Sequence, residues 1–577
     1  MQIHEYASQG NRDGVLEELQ KGVPVDSLSD GDYTALACAS RSSQAGVEVL
    51  DLLIEAGADV NCAVDEQKHF PLELAAGSGD LSKVQRLLSA GARIKQACSK
   101  GYTALINIMY QLHDDKSLVP MIELLLKHGG ETDHLTAYGE SPLSIASRLG
   151  RLDAVKCLLD AGADPSPLLW TPLMKVVALG TVEEMPPLLS GTTTLDATDS
   201  FSRTAFHLAA LVGDVRKARL LHEHGAKIDQ PDNSGETALM IAAARGNTEM
   251  LRWLIIHGAD LEATNGMDFT ALMIAAGDGQ TESVQVLLEA GADPMHRNQF
   301  RSSAISMAAN ESVIRLLMNS GQDLADISTK MKRMLIGLQD KESINVSESE
   351  YRSGKDRRYG RSNPEVMNIP FWQAMVRSGC NAYQPRKQFN DMNQSAGPLW
   401  CFDRFGMSFT ALPDGRFVQI GGEHEDCYDP DFCIYNEVVV HDRSGTFQIM
   451  GYPENLFPPT DFHSSTFVNG IIYIIGRLGY HGTREFAVTP VYRLNCHTWK
   501  IEPVQTSGAN PGWIYEHKTS FDGATSLVVS GGKICKEVDG EEQHVENEDR
   551  YSLDLADMKW TRISCGNGLQ EPSTSDE

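Results

Sequence analysis

Long apolar segments are absent from this sequence of 577 residues. No run of about 18 apolar residues occurs, and a membrane-spanning helix needs that length, so we expect no membrane partner. The first residues, MQIHEYASQGNRDG, also lack the apolar core of a secretory signal peptide. The sequence therefore predicts a cytoplasmic protein, with export by a route that uses no cleaved signal as the open alternative.

Paired cysteines are missing as well. The eleven cysteines are odd in number and scattered, and no two of them form a C-x-x-C pair. Disulfide frameworks and structural zinc motifs normally show regular cysteine spacings. The pattern therefore predicts free thiols in a reducing compartment.

Basic residues are scarce. The chain has 50 Lys and Arg against 78 Asp and Glu, which gives a net charge of −28. Such a surface repels the phosphates of nucleic acids and attracts basic proteins. We expect a basic protein partner and no nucleic acid.

The motifs of common enzyme classes are absent too. The sequence has no G-x-S-x-G, no P-loop, no H-E-x-x-H, and no G-x-G-x-x-G after a predicted strand. We therefore expect a non-enzymatic protein with no cofactor and no bound metal.

An internal repeat fills the first 330 residues. The segment GETALMIAAARGNTEMLRWLIIHGADLE (235–262) recurs as DFTALMIAAGDGQTESVQVLLEAGADPM (268–295), a shift of 33 residues. In most units a Thr caps a short Ala-rich helix, and a Gly ends a second helix that carries a Leu-Leu pair. This pattern resembles the ankyrin repeat, and about ten repeats fit residues 1–330, which predicts an α-solenoid.

Two repeats depart from the pattern. The fourth carries the insertion QLHDDKSLVP (111–120), and the sixth places Pro186 and Pro187 inside its second helix. Proline in a helix interior costs about 3 kcal/mol. The sixth repeat is therefore expected to have a second helix that begins late or bends.

The resemblance implies protein binding through the turn tips and first helices. At the position just before the capping residue, four of nine repeats carry an aromatic residue, a class enriched at binding hot spots. The alternative is that each aromatic folds back onto its own turn. The candidate partner-binding residues are Tyr33, Tyr102, Trp170 and Phe269, together with Glu236.

A polar joint follows the repeats. Residues 331–364 have the composition of a helical extension and a basic linker, and residues 331–396 carry 11 basic against 7 acidic residues, a net charge of +4. Within 365–396, the segment NIPFWQAMVRSGC (368–380) predicts a short amphipathic helix. Its Phe371, Trp372 and Met375 are available to dock on a domain.

Residues 397–565 change to a period of two, which predicts short strands that end on glycine. The frame recurs about every 55 residues, and Phe447, Trp499 and Trp560 occupy equivalent positions. The stretch VYRLNCHTWKIEPV (491–504) resembles a Kelch repeat. Together with the solenoid, this gives a multidomain α plus all-β protein with three Kelch-type, β-propeller-like blades.

The three blades span about 403–451, 461–503 and 516–563, and an acidic tail at 566–577 is expected to be disordered. Propellers typically have 4 to 8 blades. Further blades could be degenerate, three-bladed halves could pair across two chains as a homodimer, or the sheets could lean on the Phe371 helix.

Two acidic segments lie between the second and third strands of their blades: EHEDCYDPDFC (423–433) and KICKEVDGEEQHVENED (533–549). Their position predicts one acidic face that could hold a basic partner. The alternatives are a metal site, which the cysteine and histidine spacing does not support, and a solvated loop. The candidate residues are Glu423, Glu425, Asp426, Asp429, Asp431, Glu541 and Glu542.

These features together predict a protein–protein interaction scaffold with two binding modules. A sharper version is an inhibitor or immunity protein that blocks a basic toxin by charge complementarity. The alternatives are a target-selecting adaptor or delivered effector, and a metal-dependent oxidoreductase built on the Kelch-like module. His463 and His517 would matter to such an enzyme, but their equivalent blade positions favour structural hydrogen bonding.

Overall fold

The computed structural model divides the chain into two compact units, Met1–Ser302 and Ser303–Glu577. It describes residues 2–112, 115–189, 194–320, 324, 327–338, 343–391, 398–426 and 429–563. The side chains of residues 115, 319, 425–426 and 429–431 also lie outside the description. In the described part of the chain, no helix is long and apolar enough to cross a membrane.

Helix pairs at the repeat period build the first unit. Its first helices are α1 (Gln2–Gln9), α3 (Ala35–Arg41), α5 (Pro71–Gly77), α7 (Ala104–Gln111), α9 (Pro142–Arg148), α11 (Pro172–Leu179), α13 (Ala205–Val212), α15 (Ala238–Arg245) and α17 (Ala271–Gly277). Its second helices are α2 (Arg12–Gln20), α4 (Val47–Glu55), α6 (Leu81–Ser89), α8 (Asp115–Lys127), α10 (Leu152–Asp160), α12 (Pro186–Leu189), α14 (Val215–Glu223), α16 (Thr248–Ile256) and α18 (Thr281–Glu289). A tenth pair, α19 (Ala304–Met307) and α20 (Glu311–Asn319), lies in the second unit.

The first helices begin where the capping residues predict. The Thr34 hydroxyl accepts a hydrogen bond from the Ala37 amide at 3.2 Å, and Thr103 caps α7 in the same way. Such a cap is worth about 1 kcal/mol, because it satisfies an amide with no partner inside the helix. The alanines that follow are buried, which lets neighbouring first helices pack closely.

Two buried lysines link repeats through the ends of first helices. Lys83 Nζ donates to the Ala39 carbonyl at 3.0 Å, and Lys217 Nζ donates to the carbonyls of Val177 and Gly180, both at 2.8 Å. The last carbonyls of a helix have no amide partner of their own. Each lysine therefore satisfies groups that the helix leaves open, although burial lowers the pKa of both lysines.

The two irregular repeats keep their helix pairs in altered form. In the sixth, a 3-10 turn at Val182–Glu184 precedes α12, which begins at Pro186. The predicted late start is thus confirmed, since proline is tolerated in the first turn of a helix. In the fourth, α8 has 13 residues and includes Pro120, so part of the insertion extends the second helix.

Three sheets of the second unit each contain four antiparallel strands in the same order. The first contains β2 (Ser408–Ala411), β3 (Phe417–Ile420), β6 (Val438–His441) and β7 (Phe447–Gly451). The second contains β8 (Ser464–Val468), β9 (Ile471–Ile475), β10 (Val491–Asn495) and β11 (Ile501–Pro503). The third contains β14 (Lys518–Phe521), β15 (Ser526–Ser530), β18 (Arg550–Asp554) and β19 (Lys559–Ile563). All twelve strands fall inside the three predicted blade segments.

Smaller strands complete the unit. The strand β1 (Glu365–Val366) pairs with β7, and β12 (Ser507–Gly508) pairs in parallel with β19. A hairpin of β4 (Glu423–Asp426) and β5 (Asp429–Ile434) lies between β3 and β6 in the chain. Between β15 and β18, the hairpin of β16 (Lys533–Val538) and β17 (Glu541–Glu546) pairs with β13 (Trp513–Tyr515). The segments expected as acidic loops therefore contain paired strands.

The first strands of successive sheets are joined by side-chain hydrogen bonds. Ser408 Oγ lies 2.8 Å from His463 Nε2, and Ser464 Oγ lies 2.8 Å from His517 Nε2. The two histidines thus make the same contact one sheet apart. Trp499 and Trp560 are buried in the sheet cores, and Phe447 is half-buried.

Helices of the joint pack within the second unit. They are α21 (Thr329–Leu335), α22 (Glu348–Gly354), α23 (Pro370–Ser378) and α24 (Tyr383–Gln388). The predicted apolar face of α23 is buried: Trp372 stacks on Trp400 with ring centroids 4.6 Å apart and donates to the Gly354 carbonyl. Trp400 in turn lies beside the fully buried ion pair of Arg404 and Glu437.

Residues 355–364, which composition assigns to a linker, contact the sheets instead. Arg357 donates to the carbonyl of Ile434 and to the hydroxyl of Tyr480. The Asn363 side chain forms two hydrogen bonds with the backbone of Ile501, at 2.7 and 2.9 Å. The polar composition of the segment does not predict these contacts, because hydrogen bonds and not an apolar stripe hold the segment in place.

Three histidines of the second unit predict a loss of stability in acid. Burial lowers the pKa of His441, His463 and His517 to about 3. The unfolded chain takes up protons near pH 6.5 and the folded unit does not, so stability is complete above pH 6.5 and falls progressively toward pH 3. At pH 5 each histidine contributes a loss of about 2 kcal/mol.

We expect His441→Met to reduce the stability loss between pH 7 and pH 5, because His441 lies between Phe402 and Phe447, where burial lowers its pKa more than Asp442 raises it. Hydrogen exchange of β3 and β6, followed by mass spectrometry, measures this locally. His497→Met, at an exposed site, is the control. An unchanged pH dependence in His441→Met would contradict the prediction.

Candidate functional site

Most turn tips close with a backbone hydrogen bond to the residue before the helix cap, whereas a 3-10 turn at Ser166–Leu168 precedes Trp170. The Cys98 amide donates to the Tyr102 carbonyl at 3.0 Å, and the Asn265 amide donates to the Phe269 carbonyl at 3.1 Å. This bond directs the residue before the cap back along its own turn. All five candidate tip residues are half-buried, namely Tyr33, Tyr102, Trp170, Glu236 and Phe269.

Tyr33 belongs to an internal network. Its hydroxyl donates to Asp65 Oδ2 at 2.8 Å, and its ring packs against Val64 and Leu74. Burial, together with the hydrogen bond to Asp65, raises the pKa of Tyr33. The contact ties one turn to the next and leaves only part of the ring for a partner.

The other candidates are similarly engaged. Tyr102 meets the edge of the Tyr110 ring at 6.0 Å, and Trp170 packs against the core of the first repeats. Burial raises the pKa of Glu236, with Asp232 adding to the rise. None of these residues is fully enclosed, so each retains a surface that a partner can contact.

The more exposed apolar residues lie three positions before the cap, at the apex of the turn. Tyr138 and Phe300 are each 65% exposed and Met267 is 52% exposed. Leu169, two residues before its cap, is also 65% exposed. Sequence reasoning missed these residues because it examined the position next to the capping residue.

A local signal marks these apices in the sequence. The amide of Met267 donates to Asn265 Oδ1 and that of Phe300 to Asn298 Oδ1, both at 3.0 Å, and Tyr138 bonds the Thr136 hydroxyl in the same way. A short polar side chain that bonds the amide two residues later is a common turn device. The pattern Asn or Thr, any residue, then a large apolar residue could therefore have located the apices.

The first acidic hairpin is described only in part. Glu423 is half-buried on β4, and its backbone exchanges two hydrogen bonds with Phe405, at 2.8 and 2.9 Å. The side chains of four other candidates lie outside the described residues, namely Glu425, Asp426, Asp429 and Asp431. These four remain a prediction from the sequence.

On the second hairpin, Glu541 and Glu542 differ sharply. Glu541 is exposed, whereas the Glu542 side chain is 9% exposed and forms an ion pair with Arg484. His481 Nε2 lies 3.3 Å from the same carboxylate. Arg484 thus compensates the charge of Glu542, and Glu541 presents its charge to solvent.

Cys535, Glu542 and His544 bring together the side chains of a thiol nucleophile or metal site. Cys535 Sγ lies 3.3 Å from His544 Nδ1, and His544 Nε2 lies 3.2 Å from Glu542 Oε1. Burial raises the pKa of Cys535 and lowers that of His544. These shifts favour a neutral thiol and a neutral imidazole over the thiolate that a nucleophile needs.

The neighbouring carboxylates Glu541 and Glu542 predict opposite effects of the same substitution. Glu541→Gln removes an exposed charge and is expected to change stability by less than about 0.5 kcal/mol. Glu542→Gln leaves Arg484 without its counter-charge and is expected to cost on the order of 3 kcal/mol. Hydrogen exchange of β16 and β17 in the two variants checks this, and equal protection would contradict the pairing.

Ankyrin repeats are recognised by three family models. Models of several ankyrin repeats match residues 72–168, 173–265 and 246–288, and the model of a single ankyrin repeat matches residues 31–65. These matches follow the helix pairs from α3 to α18. The second unit has no match among these models.

Similar segments occur in curated proteins. The chain is 34% identical over 112 residues to "Ankyrin repeat protein nuc-2" of Neurospora crassa, covering 19% of this chain and 10% of that protein. It is 29% identical over 153 residues to "Ankyrin repeat and KH domain-containing protein mask-1" of Caenorhabditis elegans, covering 26% and 6%. It is 30% identical over 169 residues to "Ankyrin repeat and MYND domain-containing protein 1" of Homo sapiens, covering 27% and 18%.

The chain spans less than a fifth of the length of each of these relatives. The likeness therefore concerns the repeats and not the whole proteins. The helix pairs, the capping residues and the matches to the family models cover the same residues. The first unit of this chain is built of ankyrin repeats, which are modules of protein–protein interaction.

Proposed function

We propose that this protein is a non-enzymatic interaction scaffold whose ankyrin array binds a basic protein partner through the apices of its turns. The observation that carries the proposal is the exposure of large apolar side chains at equivalent apex positions: Tyr138, Met267 and Phe300. Aromatic residues and methionine are enriched in protein interfaces. Their repetition at one position of the repeat distinguishes them from isolated exposed residues.

The charge of the chain supports a basic partner. Residues 1–330 carry 26 basic and 44 acidic residues, a net charge of −18, and residues 397–577 carry 13 and 27, a net charge of −14. Opposite charge accelerates association and disfavours acidic competitors. A basic toxin or nuclease held inactive by this chain is the specific form of the proposal.

We infer that the three sheets of the second unit are Kelch-type blades and form a second binding module. Their common strand order and the repeated contact from serine to histidine between first strands support this inference. Three blades are fewer than the 4 to 8 of a propeller, so two chains would pair to complete a ring. The inserted hairpins, with Glu541 exposed, would supply its acidic face.

Substitutions at the apices test the first surface. The combined variant Tyr138→Ala, Met267→Ala and Phe300→Ala is expected to weaken partner binding at least tenfold, because it removes the apolar anchors without opening a core. The control is Ile256→Ala on α16, which is 80% exposed but lies away from the apices. The partner is captured from a lysate of the source cell, identified by mass spectrometry, purified and titrated against each variant.

Equal weakening by Ile256→Ala, or undiminished binding by the apex variant, would overturn the apex surface. A partner that is acidic, or one whose affinity does not change between low and high salt, would overturn the electrostatic part of the proposal. Binding weakened only by the apex variant, and further reduced by salt, supports both parts.

Neutralisation of the first hairpin tests the second surface. Replacing Glu423, Glu425, Asp426, Asp429 and Asp431 by Gln or Asn is expected to weaken partner binding and flatten its salt dependence, since surface charges act mainly through steering. The melting temperature is expected to remain nearly unchanged. The same affinity and salt slope as the natural chain would rule out a partner contact here.

A further inference from the structure

A cluster of His69, Glu73 and Cys98 lies inside the ankyrin array, apart from the exposed apices. His69 precedes α5, Glu73 is in the first turn of α5, and Cys98 comes from the next turn along the chain. One ligand atom of each side chain lies within 4.8 Å of those of the other two. The distance from His69 Nε2 to Glu73 Oε1 is 3.9 Å.

Glu73 is the unusual member of this cluster. It is 3% exposed, and neither carboxylate oxygen forms a hydrogen bond with another described residue. Burying a carboxylate that has no hydrogen-bond partner lowers the stability of the fold, so the position of Glu73 requires an explanation.

The histidine is oriented by a second carboxylate. His69 Nδ1 lies 2.7 Å from Asp65 Oδ2, which also accepts the Tyr33 hydroxyl at 2.8 Å. Because Nδ1 is engaged by Asp65, the other ring nitrogen, Nε2, lies on the side of Glu73 and is the one available to a metal. Metal-binding histidines are commonly held by such a carboxylate.

Among the described residues, no lysine or arginine pairs with the carboxylate of this cluster, whereas an arginine does so in the comparable one. Among the described ion pairs, only His69 lies within 4.0 Å of the Glu73 carboxylate. In the group of Cys535, Glu542 and His544, the Arg484 guanidinium already neutralises the carboxylate. The two clusters contain the same three kinds of ligand, and only the first lacks a positive charge of its own.

We propose that His69, Glu73 and Cys98 bind a zinc ion, with Asp65 as the residue that positions His69. Imidazole nitrogen, thiolate and carboxylate oxygen are all zinc ligands, and the thiolate disfavours magnesium and calcium. Tetrahedral ligands at roughly 2.0 to 2.3 Å from zinc lie about 3.4 to 3.7 Å from one another. The observed separations therefore need only small inward movements of the side chains.

Three protein ligands leave the fourth position of the zinc ion open to water or to a partner side chain. Because Cys98 precedes α7 while His69 and Glu73 flank the start of α5, the ion would tie two successive repeats together. Binding by the folded array alone would stabilise that junction. This inference does not depend on the apex surface.

The test is zinc titration of the full chain after removal of metal with a chelator. We expect one zinc equivalent that is absent from Cys98→Ala and from His69→Gln, which keeps a donor for Asp65. Cobalt(II) is expected to give a cobalt–thiolate absorption band that Cys98→Ala removes. Asp65→Asn is expected to weaken zinc binding 10- to 100-fold.

Cys535→Ala is the matched control, and we expect it to retain the full zinc equivalent. Circular dichroism verifies that each variant is folded. Tyr33→Phe removes the hydroxyl that contacts Asp65 but removes no zinc ligand, so it distinguishes the effect of altering Asp65 from the effect of losing a ligand. Zinc binding that survives in folded Cys98→Ala, that is lost in Cys535→Ala, or that is absent from the folded natural chain would each overturn the proposal.

Discussion

Burial between neighbouring repeats is the constraint on which the first unit depends. A single helix pair cannot enclose its own apolar face, so each pair is stable only against the next. Buried polar groups reinforce the same junctions: Lys83 and Lys217 satisfy the carbonyls that end earlier first helices. These contacts join residues about one repeat apart in the chain. For that reason the sequence shows them as a repeating pattern.

This locality explains which parts of the structure the sequence predicts. Capping residues, the late start of α12 and the positions of the three sheets follow from short-range patterns, and the structure agrees with each. The contacts of Arg357 with Ile434 and Tyr480 join residues far apart in the chain. No periodic pattern in the sequence indicates such contacts. The composition of a basic, polar segment therefore predicts a linker even where the segment contacts distant residues.

For the candidate sites too, the sequence predicts only what depends on short-range patterns. The tip aromatics lie in turns, as the sequence predicts, but they are half-buried, and the more exposed side chains are those of Tyr138, Met267 and Phe300. Likewise, His69, Glu73 and Cys98 show no zinc-motif spacing, because the stacking of repeats brings them together. The difference between Glu541 and Glu542 depends on Arg484, which lies on another segment.

The exposed apices also limit the size of a partner. Between Tyr138 and Met267, the equivalent apex positions hold Leu168, which is buried next to the exposed Leu169, Phe201, which is half-buried, and Ser234. The exposed apices of Tyr138 and Met267 are thus four repeats apart, or roughly 40 Å at the usual spacing of packed helices. An extended peptide needs about twelve residues to reach from one to the other. A ligand that engages both groups is therefore a folded domain or a long segment, and a short linear motif can occupy only one end.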